Sequence, residues 1–152
     1  MTAAAYHESG HAYCRWLWGH KIEFAQIGEN GGVCRLEPEF RQPFVSDSRA
    51  QIFQCLISAC AGYAAESLAG FHDATSEWGR SGDYRRAKKF ARGDAKLIEG
   101  SWRIAEHILI THWQSVCRLA EELEKAGRLS GEQITRILEQ NRRDVPTNSI
   151  AA

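Results

Sequence analysis

His7-Glu8-Ser9-Gly10-His11 sets two imidazoles four residues apart, with a carboxylate directly after the first. On a helix that spacing projects both rings from one face about one turn apart, where they can share a metal ion. Glu8 is rotated from the pair by roughly a quarter turn at about 3.6 residues per turn, so it can reach a water on the ion without ligating it. Zinc takes nitrogen ligands and lowers the pKa of its water towards about 7, after which Glu8 could accept the proton and later pass it to the leaving amine of a peptide. A shuffled chain of this composition would contain the pattern with a probability of about two per cent, so chance does not account for it. Gly10 points the same way: Gly inside a helix costs ~1 kcal/mol relative to Ala and marks the close approach of another group.

A catalytic zinc needs a third protein ligand and an open fourth position. The extended pattern H-E-x-x-H-x-x-G-x-x-H fails, because Cys14 and Leu17 stand where Gly and His are required. His20, beyond Gly19, reads as a loop or capping residue. Glu66, His72, Asp73, Glu77 and Asp83 remain as candidates, and spacing alone does not choose among them.

The elements that must position these groups follow from breakers and periodicity. From about Thr2 to Trp18 the chain lacks breakers apart from Gly10, and Gly19 follows, which predicts a helix carrying the motif. Asn30-Gly31-Gly32 joins two strand-like runs over 22–37, a hairpin whose edge could bind an extended substrate backbone. Ser46 or Asp47 can cap a long apolar helix reaching about Ala69. Residues 71–82, with Trp78, read as a long loop of the kind that often carries function. A basic helix from about Asp83 to Glu99 is expected to end at Gly100. A fourth, amphipathic helix carries the stripe Ala105 to Leu123, with His112 as a core histidine on it, and Gly127 closes it. Ser130 to Gln133 resembles a capping box for a last helix. The polar tail, 142–152, is expected to fray.

With 152 residues, 43% of them hydrophobic, the chain suits one domain, assigned to 1–141. Nineteen basic and 19 acidic residues cancel, so no global field favours nucleic acid, and the basic excess over 80–103 reads as a solvated face: no nucleic-acid partner is expected. No apolar run approaches the ~18–20 residues of a membrane span, and the N-terminus lacks the character of a secretory leader. Five cysteines without a C-x-x-C pair argue against a disulfide framework and suit small core residues. A cytoplasmic location is the expectation.

His7-Glu8-Ser9-Gly10-His11-Ala12, then Ala61-Gly62-Tyr63-Ala64-Ala65-Glu66, then Ser81-Gly82-Asp83-Tyr84-Arg85-Arg86-Ala87, resembles in order and spacing the zinc peptidase domain of the FtsH family of ATP-dependent proteases. The resemblance covers the chain to Leu138. It implies an α+β, mostly α-helical, zincin-like fold with a small β-hairpin or sheet. It further implies zinc held by His7, His11 and Asp83, and Glu8 as catalytic base of a metalloendopeptidase acting on peptides or unfolded protein. Asp83 also suits its place at a helix start, where exposed amides favour a carboxylate. Glu66 is better placed to orient a ligand His through its other ring nitrogen than to ligate. The chain has no Gly-Lys dipeptide and hence no Walker A loop, so a stand-alone peptidase domain without ATPase activity is expected, with a separate ATPase as a possible partner. The alternative is a non-catalytic zinc-stabilised binding or regulatory module. Glu8 argues against it, because a structural zinc needs no base beside it.

Overall fold

Helix α1 (Ala3–Leu17) begins where the Thr2 hydroxyl accepts the Ala5 N–H at 3.3 Å, and its middle, Glu8 to Arg15, is buried. In this computed structural model, residues 1–40, 48–71 and 77–144 are described. The expected cap residues Ser46 and Asp47, the ligand candidates His72 and Asp73, and the tail beyond Asp144 lie outside them. Helix α2 (Arg49–Leu68) crosses α1 as its most extensive neighbour. Gly10 makes the crossing possible: a Cβ there would press on the Ala61 carbonyl oxygen and stand 2.7 Å from Ala65 Cβ. The helix penalty of that glycine is thus offset by close helix contact.

Strands β1 (Ile22–Gly28) and β2 (Gly31–Leu36) form the expected antiparallel hairpin. A third strand, β3 (Arg128–Ser130), pairs antiparallel with the other side of β1, giving the order β2-β1-β3 with β2 at one edge. Three residues with only Leu129 buried are too few to show alternation, so β3 left no signal in the sequence.

Two helix boundaries differ from expectation. Helix α3 (Gly82–Phe90) ends well before Gly100, at Arg92 and Gly93, both with positive φ (51° and 81°). Asp94 then caps α4 (Ala95–Thr111), accepting the Lys96 and Leu97 N–H groups, and Gly100 is carried inside that helix with open space around it. The amphipathic stripe from Ala105 to Leu123 is shared by α4 and α5 (Trp113–Ala126), which meet at His112. His112 is exposed, its ring 5.4 Å from that of Tyr13, and is not a core residue. Periodicity runs through the break because Ala105, Leu109, Val116, Leu119 and Leu123 enter one core.

Gly127, with φ 69°, ends α5 as expected. The capping box also forms: Ser130 N–H donates to Gln133 Oε1 at 2.8 Å and Gln133 N–H to Ser130 Oγ at 3.2 Å, starting α6 (Gly131–Asp144). That helix passes the boundary set at residue 141.

The architecture is α+β and mostly helical. The main core joins α1, α2, the sheet and the last three helices, while Leu56, Ala59, Ala87, Ala91 and Ile98 form a second cluster that fixes α3 against α2. No described helix is long and apolar enough to cross a membrane. The described cysteines are all free, with Cys14, Cys34 and Cys60 buried.

Candidate metal centre

Two elements bring donor side chains to one point, and a third, α2, backs it. Helix α1 supplies His7 and His11 one turn apart, and the first turn of α3 supplies Asp83. Ser81 holds that turn in place: its hydroxyl accepts the Tyr84 N–H at 3.0 Å and donates to the Trp78 carbonyl at 2.7 Å. His7 Nε2, His11 Nε2 and Asp83 Oδ2 form a near-equilateral triangle with sides of 3.0, 3.1 and 3.1 Å. They are a three-residue group that could hold a metal ion.

The far nitrogens of both rings are already engaged. His11 Nδ1 stands 2.7 Å from the Ser58 carbonyl, which can only accept, so that nitrogen carries the hydrogen. His7 Nδ1 contacts Glu66 Oε1, which likewise accepts when ionised. In both neutral rings the Nε2 lone pair is therefore directed at the triangle, where it meets an Asp83 carboxylate oxygen. Three converging lone pairs repel unless a cation sits among them. A proton is one such cation. Burial lowers the proton affinity of His7, but its hydrogen bonds to Asp83 and Glu66 outweigh burial and push its pKa from 6.5 up to about 9. Burial likewise acts to raise the Asp83 carboxyl, yet the His11 and His7 rings hold it well below the usual carboxylate range.

Gly62 of α2 faces the triangle directly. A Cβ on it would stand 2.5 Å from His11 Nε2 and 2.6 Å from His7 Nε2, so only glycine leaves room for the donors and for anything they bind. Tyr63 packs edge-on against His7, at 4.8 Å between ring centroids, and leads into a cluster with Trp78, Tyr84 and Trp102 that walls one flank. Trp78 thus supports the loop end that presents Asp83.

Glu8 is 4% exposed and lies outside the three-donor group, towards the sheet. A Cβ on Gly32 of β2 would stand 2.6 Å from Glu8 Cγ and 2.9 Å from its Oε1, so the edge strand runs directly past this carboxylate. Burial pushes the Glu8 carboxyl above its ordinary range, against the pull of the His11, His7 and Arg15 charges.

Of the residues singled out from the sequence, His7, His11, Asp83, Glu8 and Glu66 are brought together. Glu77 is exposed and outside the group. His20 is buried beside Phe40, and burial lowers its pKa. Sequence reasoning missed the steric role of Gly62, the Ser58 carbonyl and Arg15. Gly62 had a signal, as a glycine in the interior of an apolar helix. So had Arg15, four residues after His11 and seven after Glu8, hence on the same face of α1. A backbone carbonyl such as that of Ser58 has none. Neither a protein-family model nor a curated protein matches the chain.

Proposed function

We propose that this chain is a zinc-dependent metallopeptidase with a zincin-like fold resembling the FtsH peptidase domain, in which His7, His11 and Asp83 hold the zinc and Glu8 is the catalytic base. The observation that carries the reading is the triangle of donor atoms with both distal ring nitrogens engaged. Atoms about 2.0–2.1 Å from a tetrahedral zinc stand about 3.3 Å apart, close to the 3.0–3.1 Å found. The donor chemistry fits too: two imidazole nitrogens and one carboxylate oxygen, three ligands among the described residues, the number typical of a catalytic site with one open position. Glu66 and the Ser58 carbonyl supply the outer partners that fix ligand tautomer and direction.

A bound zinc would polarise a peptide carbonyl and make water acidic enough to lose a proton near neutral pH. The chain's own residues do the rest. Glu8 takes a proton from the attacking water and delivers it to the leaving nitrogen, and the upward shift of its carboxyl makes it a better acceptor. Strand β2, paired only with β1 among the described residues, offers main-chain groups to an extended substrate beside Glu8. Such a mode suits unfolded segments and peptides of varied sequence. Substitution of a ligand is the direct test: purified protein should carry about one zinc per chain by elemental analysis, and His7→Ala or Asp83→Ala should lose it. Undiminished zinc in both variants would overturn the ligand assignment.

A further inference from the structure

The metal triangle is bordered by a second feature that peptide hydrolysis as such does not require. A cleft of ≈ 520 Å³ opens between β2, α2 and α3, and it is lined by Arg15, Arg35, Arg86 and Lys89 with no Asp or Glu among its described lining residues. Arg35 is 3.4 Å from Glu23, and Arg86 is 3.7 Å from Asp83 Oδ1. Arg15 and Lys89 pair with no acid among the described residues. Arg15 is only 8% exposed, and its Nη1 donates to the Cys34 carbonyl. Arg15 feels the charge of Glu8, two turns back on α1, but no acid among the described residues pairs with it directly, and a ligand anion would offset the rest of the cost of burying its guanidinium. On a chain of zero net charge this concentration of cations is local.

The cleft also adjoins the chemistry on three sides. Arg15 lies one turn beyond His11 on α1, Ser58 in the cleft wall holds His11 through its carbonyl, and Arg86 lies one turn beyond Asp83 on α3. Val33 and Leu36, also in the wall, belong to the edge strand that passes Glu8. A larger cavity of ≈ 610 Å³, lined by Trp16, Lys21, Glu37 and α6 residues, contains none of the three donors and mixes both signs of charge.

We infer that the basic cleft is a substrate pocket for a carboxylate, so that the chain selects peptides with an acidic side chain or a free C-terminus close to the bond it cuts. This deepens the peptidase reading and rests on it for the identity of the ligand as a peptide. Arg15 and Lys89 supply the charge, and the apolar wall of Val33, Leu36, Phe40 and Phe90 takes the aliphatic stem. Arginine suits the task because its planar donors match a carboxylate with two parallel hydrogen bonds.

Binding is tested without turnover on the zinc-loaded Glu8→Gln protein. Short Ala-rich peptides, blocked at both ends and carrying a single Glu or Gln at each position in turn, are titrated by calorimetry. At its best position the Glu peptide should bind about 10- to 100-fold tighter than its Gln counterpart, with the advantage falling as salt rises. Arg15→Met should remove the preference. Lys89→Glu, at an exposed position that leaves folding intact, should remove or reverse it. A third arm compares free and amidated C-termini on a peptide without Glu: a preference there assigns the pocket to chain ends, whereas one confined to Glu assigns it to acidic side chains. Equal binding of all charged and neutral peptides, or no binding of any, overturns the pocket. If the acidic peptides bind but the wild-type chain cleaves none of them, the peptidase reading fails and the carboxylate pocket stands.

Discussion

An imidazole binds a metal well only when its other nitrogen is held, and here two different acceptors do the holding: a carboxylate for His7 and a backbone carbonyl for His11. They differ in how they can be tested, because only Glu66 can be removed by substitution. Glu66→Ala should leave all three ligands in place yet weaken zinc binding about 10- to 100-fold, measured by competition with a chromophoric chelator. Unchanged affinity would mean that Glu66 does not orient His7. A second expectation concerns protons. The contacts that push His7 up to about 9 also make a proton the rival of the metal, so apparent zinc affinity should rise with pH by up to about tenfold per unit and level off above about 9. The sign for the metal-free fold is opposite. A histidine raised from 6.5 to about 9 contributes stability that is complete below about 6.5 and lost as pH rises through about 9. Affinity independent of pH between 6 and 9 would contradict the assignment of His7 as a ligand. At this scale the sequence was most legible where spacing carries the chemistry, as with His7, Glu8 and His11. Asp83 needed the resemblance to single it out, and nothing in the spacing reading singled out Arg15.

Each element that bears one of the three donors is placed by something other than that donor. Helix α1 is seated on α2 through the bare backbone of Gly10, and α3 is seated through Ala87 and Ala91 against Leu56. Asp83 therefore reaches the two histidines only if the small second cluster is well packed. Leu56, fully buried, is its largest apolar side chain with no solvent contact. Leu56→Ala should cost about 2–5 kcal/mol in urea unfolding and should weaken zinc binding as well, although Leu56 is not one of the three donors. A loss of stability with unchanged zinc affinity would show that α3 is positioned by other contacts. The elements themselves were readable wherever a breaker or cap is local: Thr2, Gly127 and the Ser130–Gln133 box all fall where their residue types require. The break between α3 and α4 falls at Arg92 and Gly93 and not at Gly100: Gly93 followed by the capping Asp94 is a legible signal, whereas a positive φ at an arginine is not. Strand β3 and the kink at His112 depend on tertiary pairing and on a shared core, and neither leaves a local pattern.

Over the whole molecule the three donors span residues 7 to 83, so their triangle exists only when α1, α2 and α3 are assembled. Zero net charge hides an uneven distribution: a basic cleft faces one side of that triangle, while Glu8, Glu66 and Asp83 place three acids around the two histidines. The mostly helical α+β class was legible from the helix and hairpin patterns. The convergence of three lone pairs was not, because it depends on distances between α1 and α3 that no spacing rule supplies. The central claim is that Glu8 activates water on a zinc held by its neighbours, and it is tested most directly by measuring zinc content and casein-type peptide hydrolysis on the same preparations of wild type and Glu8→Gln. Both proteins should carry about one zinc per chain, and hydrolysis should fall by at least about 100-fold in Glu8→Gln, in line with the loss of a general base. Hydrolysis that persists at the wild-type rate in zinc-loaded Glu8→Gln would contradict the claim.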